Sequence, residues 1–170
     1  AVYKQASTVL LTMPGAPYLY YGEEIGMLGL KPDENIREPF LWDVEEKDTG
    51  RATWIDAEYS TDDTVTPLEV QKNDPNSYFI HYKNLIALRN STPALAIGDL
   101  GLFEQSFPES VMAYSRNLEN TSLAIFHNLG KEEVVLNIPE GYVESIFQLG
   151  DTKLEGSTLT LGPNSSIVLN

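Results

Sequence analysis

Residues 13–43 read MPGAPYLYYGEEIGMLGLKPDENIREPFLWD, and their order decides how the rest of the chain is read. A short apolar and aromatic run, Pro17 to Tyr21, is bounded by Gly15 and Gly22. A run of that length between glycines predicts a strand buried on both faces, as in a parallel sheet. A long polar segment follows, carrying Glu23, Glu24, Asp33, Glu34, Arg37, Glu38 and Asp43, with Trp42 near its end. Loops leaving the C-terminal end of such strands are where α/β barrels and open α/β sheets bind ligands.

Upstream, Val2, Ala6, Val9, Leu10 and Met13 recur near three-to-four spacing and predict a helix with that apolar face, stopped by Pro14 and Gly15. Helix and strand together make an αβ unit. One such unit cannot satisfy its own sheet edges, so neighbouring strands are expected from an upstream segment outside this chain. The chain starts with Ala1, and AVYKQASTVLL has neither the cationic region nor the cleavage site of a secretory signal. Residue 1 is therefore expected to lie inside a longer protein, which leaves localisation open.

Downstream, residues 23–73 have few periodic apolar positions and several breakers, including Pro32, Pro39, Pro67 and Gly50. Loops of this length are functional or disordered. Trp42, Trp54 and Tyr59 argue for function, because large aromatics seek burial or a ligand face. Asp74-Pro75 predicts a helix start, with Phe79, Tyr82, Leu85, Ile86 and Arg89 on one face and an end near Asn90 to Pro93. From Leu100 the pattern turns to short β runs. Strands are predicted at 102–105, 111–116, 123–126, 133–138, 144–148, 157–161 and 166–169, with turns at 117–120 and 128–131. That spacing argues an antiparallel sandwich, and the expected domains are 1–97 and 98–170.

Composition narrows the function. The net charge of −14 repels nucleic acid, and no apolar run approaches the roughly 18 residues that span a bilayer. The absence of cysteine removes disulfides, zinc-thiolate sites and thiol nucleophiles. From Gly22 to Asp63 there are 13 acidic residues against 4 basic ones. Such a segment reads as a solvated acidic loop, a polyol-binding rim or a calcium site. EF-hand spacing is missing, and no metal is predicted.

Two pieces of the opening stretch carry a resemblance. Gly22 to Met27 reads GEEIGM, and Asp33 to Asp43 fits D-x-x-x-R-x-P-x-x-W-D. Both, in this order, resemble the end of the catalytic barrel in the alpha-amylase family, glycoside hydrolase family 13, and the likeness extends over nearly the whole chain. It implies an α/β fragment, the last αβα unit of a (β/α)8 barrel (helix seven, strand eight, loop, helix eight), followed by an all-β antiparallel sandwich. The parent enzyme is then expected to hydrolyse α-glucosidic bonds of starch-like oligosaccharides with retention. In the family the catalytic carboxylates come from strands four, five and seven, so they are expected upstream of residue 1 and none in this chain. The cleft candidates are Arg37, Asp33 and Trp42. In exo-acting relatives, an arginine at the Arg37 position pairs with an upstream aspartate beside the sugar being cleaved. The alternative for Arg37 is an ion pair within the loop to Glu34, Glu38 or Asp43. The oligo-1,6-glucosidase branch carries a second arginine where this chain has Asp33. No cofactor is expected, and the resemblance leaves any calcium to upstream parts of the parent enzyme.

Other residues read more plainly. Glu23 and Glu24 are adjacent and point apart on an extended segment, so they do not make a catalytic pair. Trp42 and Trp54 either stack on sugar faces or pack the loop. Tyr20 and Tyr21 are expected to pack with their hydroxyls bonded. His81 and His127 have no second ligand at metal spacing and read as structural. Two other functions compete: a non-catalytic carbohydrate-binding module within Leu100 to Asn170, and a structural or assembly role.

Overall fold

The computed structural model describes residues 1–170. They form two compact units, residues 1–17 with 85–170, and residues 18–84.

The first unit contains an antiparallel sandwich. Its larger sheet has the order β1 (Asp99–Gly101), β2 (Val111–Leu118), β3 (Thr121–Asn128), β8 (Ser165–Leu169), β5 (Ser145–Leu149). The smaller is β4 (Val134–Asn137), β7 (Thr158–Leu161), β6 (Thr152–Glu155). Phe126 and Ile167 are register partners, and with Val111, Leu136, Leu159, Leu161 and Leu169 they fill the space between the sheets. The opposite face of the larger sheet, with Tyr114, Leu123, Ile125 and Val168, packs against Leu95 of α4 (Pro93–Ile97), Leu88 and Met13. Because both faces are covered, β8 and residues 123–128 of β3 are buried without alternation.

The predicted strands are found with two differences. Residues 102–105 form no strand; β1 lies just before them, and Phe103 instead stacks on Phe126 at 5.6 Å. The second difference is β6, a polar edge strand whose Thr-Lys-Leu-Glu sequence has too little apolar alternation to announce it. At the β2–β3 hairpin, Glu119 takes a positive φ of 52°.

The first helix, α1 (Val2–Thr12), forms as expected but buries the other face. Val2, Ala6 and Leu10 are exposed, while Gln5, Ser7, Thr8, Leu11 and Thr12 are buried. The polar side chains tolerate burial because each has partners. Gln5 Nε2 donates to the carbonyls of Asn128 (2.7 Å) and Ser165 (3.1 Å), and Thr12 Oγ1 meets the Tyr114 hydroxyl at 2.7 Å. Two arginines then satisfy carbonyls at the C-terminal end of α1, where a helix has unpaired acceptors and favours cations. Arg116, fully buried, donates to Thr12 O at 2.7 Å and Gly98 O at 2.8 Å. Arg89 donates to Leu11 O (2.8 Å), Met13 O (2.9 Å) and Gly15 O (2.6 Å).

In the second unit, Tyr18 to Tyr21 do not form the predicted strand. A central parallel strand exists only through hydrogen bonds to strands on either side, and no segment of residues 18–84 forms one. The run is exposed. The core of this unit is small: Ile25, Leu41, Val65 and Leu68, with Met27, Phe40 and Phe79 against them. Its regular structure is α2 (Leu68–Gln71) and the first turns of α3 (Tyr78–Ser91). Helix α3 starts later than Asp74-Pro75 suggests. Ser77 is the cap, its Oγ accepting the Ile80 N–H at 3.1 Å, while Asp74 closes a turn by accepting from Asn76 N at 2.8 Å. Tyr82, Leu85 and Arg89 are buried along α3, but Ile86 is exposed. No helix is long and apolar enough to cross a membrane.

His127 lies fully buried, with Nδ1 at 2.8 Å from Ser166 Oγ and Nε2 at 3.1 Å from the Tyr114 hydroxyl. Burial lowers its pKa from 6.5 to about 4. The unfolded chain therefore takes up this proton first as pH falls. The contribution is complete above pH 6.5 and is lost as pH drops towards 4, amounting to about 3 kcal/mol. Denaturant titrations between pH 7 and pH 4.5 are expected to show this loss, reduced in a His127→Asn variant. Phe126→Ala, which empties the centre of the sandwich, is expected to cost about 3–5 kcal/mol in the same titrations.

Candidate functional site

Residues 22–65 build the loop that carries every cleft candidate. It opens with a tight turn. Gly22 and Gly26 have φ of +87° and +75°, and Met27 N donates to Gly22 O at 2.8 Å. A Cβ on Gly22 would lie 2.5 Å from Met27 Sδ, so the first glycine of GEEIGM is required by both its φ and the packing. The Glu24 carboxylate closes the turn by accepting the Gly22 N–H at 2.8 Å. Glu24 is thereby occupied locally.

The middle of the loop is organised by Glu38, which is only 2% exposed. Its Oε1 accepts the N–H groups of Glu58 (2.7 Å) and Tyr59 (3.0 Å), and its Oε2 accepts those of Tyr59 (3.1 Å) and Ser60 (2.6 Å). One buried charge thus satisfies three consecutive backbone donors, the arrangement in which a buried carboxylate is tolerated. Ser60 extends the clasp: its Oγ accepts from Leu28 N at 2.9 Å and donates to Leu28 O at 2.8 Å. The Tyr21 hydroxyl donates to Glu38 O at 3.1 Å. Partial burial, aided by neighbouring Tyr20, raises the Tyr21 pKa.

A second clasp centres on Arg51. Its Nε donates to Asp48 Oδ2 at 2.9 Å, and one terminal nitrogen donates to Asp62 Oδ1 (2.8 Å) and Asp43 O (2.9 Å). Burial alone would raise the Asp48 pKa, but hydrogen bonds from Arg51 and nearby N–H groups outweigh it and lower the pKa. Asp48 Oδ2 also accepts the Trp42 N–H at 3.0 Å, so this ion pair fixes the backbone of a cleft candidate.

Arg37 is exposed, and its guanidinium lies 3.7 Å from Asp33. Of the partners considered from sequence, Glu38 is committed to backbone and Asp43 Oδ1 to its neighbour Val44 N at 2.8 Å. Asp33 is shared with Lys31. Trp42 is half exposed, tilted against Phe40 at 4.5 Å, and Trp54 is more exposed still. Tyr20 and Tyr21 meet each other at 4.9 Å, both partly exposed. A shallow concavity of about 220 Å³ is lined by Tyr20, Tyr21, Met27, Leu28, Ile36 and Glu38. Solvent-facing rings and an exposed guanidinium fork in the same unit suit a ligand with hydroxyls and C–H faces. No cluster of three or more His, Cys, Asp or Glu residues is arranged to hold a metal ion. Sequence reasoning missed both clasps. Their partners lie up to 32 residues apart and include backbone N–H groups, which no motif marks.

Two families match successive parts of the chain. The family described as alpha amylase, catalytic domain, matches residues 1–98, and the alpha-amylase SusG C-terminal domain matches residues 111–168. The chain is 36% identical to alpha-amylase 3 of Dictyoglomus thermophilum, over 96% of its own length and 33% of the relative. It is 33% identical to alpha-amylase SusG of Bacteroides thetaiotaomicron, over 97% of its own length and 25% of that protein. The crystal structure of an alpha-amylase from H. orenii superposes with a TM-score of 0.83 at 32% identity, covering 98% of this chain and 34% of that one. The chain thus spans a quarter to a third of these relatives.

Arg51→Ala removes both carboxylate pairs and the bond to Asp43 O, together about 1–2 kcal/mol of local stability. A Glu-specific protease is expected to cut between Glu45 and Glu58 about tenfold faster in this variant, with the unfolding of the sandwich unchanged.

Proposed function

Because this chain belongs to the alpha-amylase family, we propose that it is the closing portion of a retaining glycoside hydrolase acting on α-glucosidic bonds of starch-like oligosaccharides. Residues 1–97 complete the catalytic barrel, residues 98–170 form its C-terminal sandwich, and the two catalytic carboxylates come from a preceding segment. Retention needs a nucleophile and an acid/base carboxyl roughly 5–5.5 Å apart. Five carboxylates of the cleft loop are engaged otherwise: Glu24 and Glu38 with backbone, Asp48 and Asp62 with Arg51, Asp33 with Lys31 and Arg37. The observation that carries the reading is Arg37, an exposed fork within the D-x-x-x-R-x-P-x-x-W-D loop with only a long ion pair to Asp33. In the whole enzyme it faces the substrate, and Trp42 and Asp33 form the wall beside it.

A carbohydrate-binding role for the sandwich has less support. Phe103, Phe107, Phe126 and Tyr142 pack on one another rather than forming an open platform. Two measurements test the proposal. The 170-residue chain alone is expected to release no reducing sugar from maltooligosaccharides. In the whole enzyme, Arg37→Ala is expected to lower kcat/KM by about 10–100-fold, the loss of one charge-assisted contact in the transition state. Turnover by the isolated chain, or an unimpaired Arg37→Ala enzyme, overturns it.

A further inference from the structure

Arg37 combines an exposed side chain with a tightly held backbone. On one side, Asn35 Nδ2 donates to Glu58 Oε2 at 2.8 Å. On the other, Glu38 accepts the N–H groups of Glu58, Tyr59 and Ser60 at 2.6–3.1 Å. Both braces end on the same short segment, residues 58–60, which Ser60 in turn ties to Leu28 in both hydrogen-bonding directions. The Tyr21 hydroxyl adds a hold on the Glu38 carbonyl. Nothing comparable restrains the guanidinium, whose ion pair with Asp33 is long and solvated.

We infer that Glu38, assisted by Asn35, is a positioning residue for Arg37: it is anchored to residues 58–60 so that the arginine beside it meets the substrate from a fixed backbone. This rests on the cleft role of Arg37 proposed above. Glu38 itself does not touch the substrate, because both carboxylate oxygens are spent on backbone donors in a buried setting. Pre-organisation is the physical gain. An arginine that must order its own loop on binding loses part of its interaction to that ordering, and a shift of about 1 Å can cost two orders of magnitude in rate. Glutamine at position 38 keeps the shape but replaces one acceptor oxygen with an amide that faces N–H donors, so it loosens the clasp without emptying the site.

The test is a double-mutant cycle in the whole enzyme with Arg37→Ala and Glu38→Gln, reading kcat and KM separately on a maltooligosaccharide. Glu38→Gln is expected to lower kcat/KM about tenfold or more, with the same division between kcat and KM as Arg37→Ala, and to add almost nothing once Arg37 is gone. Equal losses from Glu38→Gln with and without Arg37 would mean a merely structural carboxylate and overturn the inference. Full activity of Arg37→Ala strikes the cleft role of Arg37 itself, and the inference falls with it. A loss in Arg37→Ala combined with an additive Glu38→Gln strikes the positioning alone. Should Glu38→Gln not fold, Asn35→Ala carries the same cycle, since it cuts the exposed brace and leaves the buried carboxylate in place. Coupling to Arg37 then supports the inference, and additivity or silence overturns it.

Discussion

The Glu38 carboxylate is the constraint on which residues 18–84 depend. This unit has little regular structure and a core cluster of four buried apolar side chains. Apolar burial of that size does not by itself order a loop of more than forty residues against its conformational entropy. A buried charge changes the balance, because leaving it unpaired is far more costly than leaving a neutral group so. The chain must bring Glu58, Tyr59 and Ser60 to Glu38, and the segments between fold accordingly. Arg51, between Asp48 and Asp62, closes what remains. The acidic excess of this region is therefore partly structural wiring and not only a solvated face.

The other unit solves a different problem with the same chemistry. Helix α1 meets the sandwich through a polar face, and its terminal carbonyls are taken by Arg89 and Arg116. Gln5 reaches the carbonyls of Asn128 and Ser165, at the ends of β3 and β8. Hydrogen bonds of this kind contribute modestly to stability but specify orientation, since a rotated helix would strand every one of them.

The legibility of these features in the sequence follows from their physics. The sandwich strands were readable because period-two patterning and turn residues act locally, and β2, β3, β7 and β8 lie where the pattern puts them. The polar edge strand β6 has no such pattern. The apolar face of α1 was misread because periodicity records hydrophobicity, whereas this helix buries groups with hydrogen-bond partners more than a hundred residues away. Tyr18 to Tyr21 have the composition of a buried parallel strand, but a strand is a property of its neighbours as much as of its residues. At the site, the motif located Arg37, Asp33 and Trp42 on one loop. It gave no sign that Asp33 is the ion partner of Arg37, or that Glu38 rather than Arg37 holds the loop together.

Amide hydrogen exchange at Glu58, Tyr59 and Ser60 tests the central claim most directly. These three N–H groups lie in a loop without secondary structure, where exchange is ordinarily fast. If the Glu38 carboxylate organises residues 18–84, the three are protected together, and Glu38→Gln releases them together. Exchange at the rate of the surrounding exposed loop in the unaltered protein, or protection that survives Glu38→Gln, contradicts the account.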